Sequence, residues 1–253
     1  MRALVTGASS GIGRDFAREL SRRGFDLVLA ARRVSRMEIL ARELKTHVDV
    51  VGVDLSSKDQ CYDLYRQVSG SHIDVLINCA GFGVFGPFDE TDLGRELDLI
   101  NVNIRAVHIL TKLFYRDFKK RGSGYILNVA SSAAFQPGPL LSSYYASKAY
   151  VLRLTQALAE ELRRDGSQVY IGALCPGPVR TEFDSVADVR FSVKGLSSEY
   201  VARYAIDRMF ARKTLIVPGM QMKAALFGER FLPQAAVTRI AYHLQKRKSR
   251  PDQ

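Results

Sequence analysis

The sequence predicts an α/β fold: a single domain built on a doubly wound parallel sheet of about seven strands, with helices on both faces. Short apolar runs alternate with helical segments along the chain, which is the pattern of parallel strands joined by crossover helices. A length of 253 residues, with 47% hydrophobic and 25% charged side chains, suits one large globular domain with a buried core. Strands are expected at residues 3–6, 26–31, 48–53, 75–78, 124–129, 169–174 and 214–217.

Helices are expected between these strands. The first begins at Ser10, a residue able to cap a helix, and carries Ile12, Phe16 and Leu20 at a spacing of four on one face. Gly24 is expected to end it. The other helices are expected near residues 36–45, 57–68, 92–121, 143–165 and 198–211.

The composition narrows the classes of function. A net charge of +11 suits nucleic acid, an anionic membrane surface or an anionic cofactor, but no zinc, helix–turn–helix or aromatic–basic RNA signature accompanies it. We therefore expect no nucleic-acid partner. Cys61, Cys79 and Cys175 are isolated, which predicts reduced thiols and no metal site. The chain opens directly with a strand and contains no long apolar run, so a cytoplasmic protein without a signal peptide is expected.

A glycine-rich turn follows the first strand and opens the first helix. Residues 6–13 have the sequence Thr-Gly-Ala-Ser-Ser-Gly-Ile-Gly. Backbone amides at a helix N-terminus, with glycines that permit close approach, form a site for a pyrophosphate. The spacing Gly-x-x-x-Gly-x-Gly differs from the usual dinucleotide fingerprint, Gly-x-Gly-x-x-Gly.

Tyr144 and Lys148 lie four residues apart in a predicted helix, so their side chains share one face. A positive charge beside a phenol lowers the tyrosine pKa from its usual value of about 10. Such a pair suits proton transfer in a carbonyl/alcohol interconversion. The spacing alone is common on solvated helices, and its significance depends on the glycine turn and on Ser131, thirteen residues before Tyr144.

Together these motifs resemble the short-chain dehydrogenase/reductase family. Residues 6–13 match its Thr-Gly-x-x-x-Gly-x-Gly turn, and residues 78–81 resemble its Asn-Asn-Ala-Gly element, with Cys79 in place of the second asparagine. Residues 176–181 match its Pro-Gly-x-Val-x-Thr loop, and the resemblance covers roughly residues 2–218. It implies a Rossmann-like NADP-binding and catalytic domain over residues 1–218. It also implies a homo-oligomer, either dimer or tetramer.

The resemblance assigns catalytic roles to four residues. Tyr144 would transfer the proton, Lys148 would lower its pKa and hold the nicotinamide ribose, and Ser131 would hydrogen-bond the reacting oxygen. Asn103 would position a water molecule near the lysine, and Asn101 competes for that role. The cofactor-binding positions implied by the family motifs are Gly7, Ser9, Ser10, Gly11, Ile12, Gly13, Arg32, Asp54, Leu55, Asn78, Ala80, Gly81, Tyr144, Lys148, Pro176, Gly177, Val179 and Thr181.

Two further positions compete with these assignments. Ser132 is adjacent to Ser131, and the thirteen-residue spacing to Tyr144 favours Ser131. Tyr145 is one position off the Lys148 register and is expected to support packing.

The end of the second strand indicates the cofactor. An acidic residue at this position accepts hydrogen bonds from the 2′-hydroxyl of NAD, whereas arginine matches the 2′-phosphate of NADP. Ala31 stands at the acidic position and Arg32 follows it, so NADP(H) is expected; Arg33 either shares the contact or is solvated. Asp54 either accepts from the adenine amino group or caps the helix that follows.

The substrate side carries fewer signals. Residues 82–88 and 135–141 are apolar and loop-like, which favours a neutral, fairly apolar ketone, aldehyde or secondary alcohol. Arg180 and Lys194 are the candidates for binding a substrate carboxylate, in a loop or lid over residues 176–197. The expected activity is hydride transfer between NADP(H) and such a carbonyl or alcohol.

The remaining residues, 219–253, form an amphipathic, basic C-terminal extension. It is expected to pack on its own domain or on a sister subunit, with contact between residues 220–250 and a membrane surface as the alternative. The alternative functions are a non-catalytic NADP-binding sensor or scaffold, and a peripheral membrane lipid-modifying reductase.

Overall fold

The computed structural model describes residues 1–183 and 195–246. Its centre is a seven-stranded, entirely parallel sheet in the order β3-β2-β1-β4-β5-β6-β9. The fold class predicted from the sequence is confirmed. The strands of this sheet are β1 (Arg2–Thr6), β2 (Asp26–Ala31), β3 (Val48–Gly52), β4 (Val75–Asn78), β5 (Tyr125–Val129), β6 (Tyr170–Leu174) and β9 (Leu215–Ile216). Two short strands, β7 (Val179–Arg180) and β8 (Leu196–Ser197), pair separately in parallel.

The helices connect the strands as crossovers. Their bounds are α1 (Gly11–Arg22), α2 (Val34–Glu43), α3 (Lys58–Ser69), α4 (Leu93–Ile100), α5 (Val107–Arg121), α6 (Ser142–Arg164), α7 (Ser198–Phe210), α8 (Met220–Glu229) and α9 (Gln234–Lys246). A short 3₁₀ turn, Ser132–Phe135, precedes α6.

Helices cover both faces of the sheet because the inner strands are apolar on both sides. One core contains Phe16 of α1 and Met209 of α7, packed against one face. The other contains Phe114 and Phe118 of α5, packed against the opposite face. Burial of strands on both sides is typical of parallel sheets.

The strand order reverses between β1 and β4. From β1 the chain builds outward to β2 and β3, and from β4 it builds in the opposite direction to β5, β6 and β9. The crossovers therefore leave a cleft at the carboxyl ends of β1 and β4, which is where open α/β sheets bind ligands.

The single helix predicted over residues 92–121 is interrupted in the structure. A π-helical segment, Asn101–Ala106, joins α4 to α5. A π turn holds more residues per hydrogen-bonded ring than an α turn and is found mostly at functional sites. Apolar periodicity does not detect it, because α4 and α5 on either side keep their helical pattern.

The C-terminal extension forms α8 and α9. Met222 and Leu226 are half-buried against a third core cluster that includes Val151 of α6. Val237 and Ala241 of α9 are buried as well. Across residues 1–183 and 195–246, no helix has both the length and the apolar character needed to cross a membrane.

Candidate active site

A tight glycine turn joins β1 to α1. Gly7 has a φ of +68°, and a Cβ atom there would come within 2.8 Å of the Ala80 Cα just after β4. A Cβ atom on Gly13 would come within 2.3 Å of the Gly7 carbonyl oxygen. Glycine at both positions therefore allows the turn, the start of α1 and the end of β4 to approach this closely.

The N-terminus of α1 is open to the cleft. Ser10 occupies the cap position, as expected, but its side chain makes no capping hydrogen bond. Its hydroxyl instead accepts a hydrogen bond from Arg33 Nη2 at 2.6 Å. The first N–H groups of a helix lack intrahelical partners and favour an anion.

A cavity of about 530 Å³ opens beside this turn, at the carboxyl ends of the strands. It brings together residues that are far apart in the sequence. The predicted site residues that line it are Gly7, Ser9, Ser10, Gly11, Ile12, Gly13, Arg32, Asp54, Leu55, Ala80, Gly81, Ser131, Tyr144, Lys148, Pro176, Gly177, Val179 and Thr181.

Asn78, expected among the cofactor-binding residues, lies behind the cavity wall instead. Its side chain is 2% exposed and donates to Thr111 Oγ1 at 3.1 Å and to Asn128 Oδ1 at 2.9 Å. Asn128 in turn donates to Thr155 Oγ1 at 3.0 Å. Asn78 therefore ties β4 to β5 and α5 through buried hydrogen bonds, and the motif spacing could not show this because the partners come from distant segments.

Ser131, Tyr144 and Lys148 meet at one end of the cavity. Ser131 follows β5 and lines the cavity, and its Oγ accepts from the Ala133 N–H at 3.1 Å. Lys148 Nζ lies 5.7 Å from the centre of the Tyr144 ring and donates to the Val129 carbonyl oxygen at 2.9 Å. Tyr144 lies in the first turn of α6 and Lys148 in the second, so both are near the end of the helix that begins beside the carboxyl ends of the strands.

The pKa values of this group depart from the expectation in one respect. Burial raises the pKa of Tyr144 to about 12, although the hydrogen bond from Ser131 lowers it in part. Burial lowers the pKa of Lys148 to about 8. The expected lowering of the Tyr144 pKa by Lys148 is therefore not found, because removal of the phenol from water is the largest effect on this pKa.

Asn103 lies in the π-helical segment and is fully buried. Its amide donates to the Phe82 carbonyl oxygen at 2.9 Å and to Ser147 Oγ at 3.0 Å, and it accepts from the Phe82 N–H at 3.1 Å. A Cβ atom on Gly81 would come within 2.9 Å of Asn103 Oδ1 and 3.3 Å of Lys148 Nζ. Asn103 thus fixes the strand end beside Lys148 from outside the cavity.

The other end of the cavity is basic. Arg33 donates to Ser9 Oγ at 3.3 Å and pairs with Glu182, with 2.8 Å between Nη1 and Oε2. Arg36 Nη1 lies 2.5 Å from the other oxygen of Glu182. Hydrogen bonds from Arg33 and then Arg36 lower the pKa of the Glu182 carboxyl. Arg32 is exposed and lines the cavity, and it forms no ion pair within the part of the chain that the structure describes.

Asp54 lines the cavity but does not cap α3, which was one of the two roles that the sequence left open. It lines the cavity, and its Oδ1 accepts from the Ser56 N–H at 2.9 Å. The cap of α3 is Ser57, which accepts from the Gln60 N–H at 3.4 Å. Asp54 therefore shapes the turn before the helix and still faces the cavity.

At the substrate end of the cavity, only some of the expected residues form the lining. Phe82, Gln136 and Leu141 of the two predicted apolar loops line the cavity. Arg180 is exposed and lies outside the lining set, and Lys194 lies outside the described residues.

Several lining residues were not predicted. Tyr145 faces the cavity rather than only supporting packing, and its hydroxyl accepts from Gln245 Nε2. Ala241 and Leu244 of α9 complete this wall, and the Phe183 ring lies 5.2 Å from the Tyr144 ring. The amphipathic pattern of the C-terminal extension predicted that it packs on other residues. The pattern could not show that α9 packs beside the cavity.

The described ranges contain no group of three or more histidine, cysteine, aspartate or glutamate side chains able to hold an ion. Cys79 lines the cavity, and burial raises the pKa of its thiol to about 12, so it is protonated at neutral pH.

Comparisons with known proteins agree with this geometry. Residues 1–188 match the family described as short chain dehydrogenase. A very-long-chain 3-oxoacyl-CoA reductase of Anas platyrhynchos is 32% identical over 198 residues, which cover 75% of this chain and 63% of that protein.

Two solved structures share the fold over most of their length. A short-chain dehydrogenase from Sphingobium yanoikuyae in complex with NADPH superposes with a TM-score of 0.82 at 30% identity, covering 92% of this chain and 97% of the other. A short chain dehydrogenase/reductase from Burkholderia phymatum in complex with NAD superposes with a TM-score of 0.81 at 25% identity, covering 89% and 91%. With a family match over residues 1–188 and a fold shared with solved short-chain dehydrogenases, the chain belongs to the short-chain dehydrogenase/reductase family of oxidoreductases.

Proposed function

We propose that the protein interconverts a carbonyl and an alcohol on a neutral, fairly apolar substrate, with NADP(H) as cofactor and Tyr144 as the proton donor and acceptor. The observation that carries this proposal is the convergence of Ser131, Tyr144 and Lys148 at one end of a cavity whose other end is the glycine turn.

The residues present fit a dinucleotide. A side chain at Gly7 or Gly13 would fill the space against the turn, and the open N-terminus of α1 suits a pyrophosphate. Asp54 and Leu55 would hold the adenosine end, and Lys148 would hold the ribose at the nicotinamide end. When bound, the nicotinamide supplies or accepts the hydride.

Tyr144 is suited to donate a proton at neutral pH. Because its pKa is about 12, the phenol is protonated and can transfer its proton to an oxygen that gains negative charge. Ser131 lines the same end of the cavity, where its hydroxyl would hold that oxygen. These features favour the reductive direction. Asn103 acts as a positioning residue, since it touches Phe82 and Ser147 rather than the cavity.

The preference for NADP(H) rests on the basic end of the cavity. Arg33 hydrogen-bonds both serines of the glycine turn, and together with Arg36 it already holds a carboxylate, that of Glu182. A 2′-phosphate presents the same kind of anionic oxygens to a guanidinium. Arg32, without an ion pair in the described residues, would add a further positive charge.

The substrate preference rests on the lining of the opposite end. Leu141, Phe183 and Leu244 present apolar surface there, with the Tyr145 hydroxyl and Gln136 as polar groups. An apolar wall with few polar groups selects substrates by shape and by one reacting oxygen.

Turnover by the purified protein tests the proposal. NADPH oxidation at 340 nm would be followed with a panel of apolar ketones and small keto acids, for the native chain and for Tyr144→Phe. We expect activity on the apolar ketones that Tyr144→Phe lowers by about 10²–10⁴-fold, while NADPH binding measured by fluorescence is retained. NADPH binding without turnover on any carbonyl would instead favour a sensor. Preference for the keto acids would contradict the substrate class.

A further inference from the structure

The outer surface of α8 and α9 is apolar and exposed. Met220 and Phe227, seven residues apart on one side of α8, are 77% and 62% exposed. Phe231, just beyond α8, is 74% exposed, and its ring packs edge-on against Phe227 with 5.3 Å between centroids. Leu232, Ile240 and Leu244 are also about half exposed. We call these six residues, Met220, Phe227, Phe231, Leu232, Ile240 and Leu244, the C-terminal face.

The opposite side of the same helices meets the domain. Met222 and Leu226 of α8 pack against the third core cluster, and Val237 and Ala241 of α9 are buried. The two helices are therefore fixed on the domain by one side while the C-terminal face points to solvent. Single exposed apolar residues are ordinary, but six on one short segment, two of them in ring contact, mark an interaction surface.

The C-terminal face borders the mouth of the active-site cavity. Leu244 is 52% exposed and also lines the cavity, next to Ala241. Gln245, one residue further, is buried and donates to the Tyr145 hydroxyl inside the cavity. Apolar surface is thus continuous from the outside of α9 to the substrate end of the cavity.

Basic residues accompany these apolar residues in the sequence. Residues 219–253 contain seven lysine and arginine residues and two acidic residues. Arg230 and Arg239 are exposed between and beside the apolar side chains. The acidic residue among these helices, Glu229, is half-buried, and burial raises the pKa of its carboxyl.

Exposed apolar side chains next to exposed arginines, in a segment of basic composition, fit the headgroup region of an anionic bilayer. A second copy of the chain fits less well, because a symmetric dimer would place this positive surface against itself. We propose that the C-terminal face docks the protein on an anionic lipid bilayer and holds the mouth of the cavity at the membrane surface.

This docking does not depend on the proposed reaction. The test is co-sedimentation of the full chain with vesicles of phosphatidylcholine alone or mixed with phosphatidylglycerol. Since each basic residue near an anionic surface contributes about 1 kcal/mol, or roughly fivefold in binding, we expect binding to the mixed vesicles at least about tenfold tighter than to the neutral ones.

Matched variants distinguish binding through the C-terminal face from nonspecific binding of the protein to lipid. The double variant Phe227→Ser/Phe231→Ser should lower binding to the mixed vesicles about tenfold or more, whereas Phe88→Ser should not, although Phe88 is 69% exposed. The double variant Arg230→Glu/Arg239→Glu should also weaken binding, while Lys112→Glu/Lys120→Glu on α5 should change it much less. Circular dichroism and the melting temperature check that each variant is folded.

Two results would overturn the proposal. Equal sedimentation of native chain and Phe227→Ser/Phe231→Ser with mixed vesicles would show that the C-terminal face does not bind lipid. A lipid-free dimer that this double variant dissociates, together with no vesicle binding by the native chain, would assign the face to a second copy. Turnover measured without lipid should be the same for the double variant and the native chain. A failure of the proposed reaction would therefore appear in the turnover assay and not in the sedimentation assay.

Discussion

Lys148 should make the stability of the ligand-free protein depend on pH in an unusual direction. Its ammonium is 5% exposed, and burial lowers its pKa from 10.5 to about 8. Between these two pH values the unfolded chain holds a proton that the folded protein has released. Unfolding then takes up a proton, so the free energy of unfolding rises with pH across this window.

The size of the effect follows from the two pKa values. Each pH unit within the window contributes up to about 1.4 kcal/mol, so the lysine contributes roughly 2 kcal/mol more stability at pH 10 than at pH 7.5. Lys148→Met keeps a long apolar side chain and removes the titration, although it also leaves the Val129 carbonyl oxygen without its donor. The loss of that hydrogen bond shifts the stability of the variant at every pH, and it leaves the slope unaffected.

Urea unfolding from pH 7.5 to pH 10, without cofactor, measures the slope. The free energy of unfolding of the native chain minus that of Lys148→Met should rise by roughly 2 kcal/mol over this range. Titrations of groups that do not interact with Lys148 are common to both proteins and cancel in the difference. Lys58→Met removes an exposed lysine and should follow the native chain in parallel. A native-minus-variant difference that is flat with pH would refute the lowered pKa of Lys148.

Three further predictions concern the cofactor end and the positioning residue. Arg33→Ala should raise the Kd for NADPH about tenfold and leave the Kd for NADH nearly unchanged, because a charge-assisted hydrogen bond contributes about 1.5–3 kcal/mol. Calorimetry measures both Kd values. An equal loss of affinity for both cofactors would contradict a contact between Arg33 and the 2′-phosphate. Glu182→Gln should tighten NADPH binding about threefold, because this carboxylate competes with the 2′-phosphate for Arg33 and Arg36. The effect is small because exposed ion pairs are weak. Weaker NADPH binding by the same measurement would show that Glu182 instead helps to position the two arginines. Asn103→Leu should lower kcat more than it changes the KM for NADPH, because Asn103 holds Phe82 from behind the cavity; an unchanged kcat in a folded variant would remove the positioning role.

The strand and helix positions were largely predictable because apolar periodicity reflects burial directly. Parallel inner strands are apolar on both faces, and each predicted strand overlaps an observed one. The glycine turn was predictable for a related reason, since close backbone approach at Gly7 and Gly13 excludes any side chain.

Other features depend on contacts between distant segments. The sequence places Asn78 in a cofactor motif, but its hydrogen bonds to Thr111 and Asn128 decide that it serves the sheet. Likewise, the spacing of Tyr144 and Lys148 suggests a lowered tyrosine pKa, whereas burial raises it to about 12. Burial of a group is a property of the assembled fold and cannot be obtained from spacing.

The sequence by itself determined the parallel sheet, the glycine turn and the set of Ser131, Tyr144 and Lys148, because local periodicity, glycine geometry and residue spacing encode them. The tertiary structure alone decided that Arg33 bonds the glycine turn and that α9 closes the cavity through Leu244 and Gln245. The physical reason is that these contacts join segments far apart in the chain, and only packing brings their side chains within reach of one another.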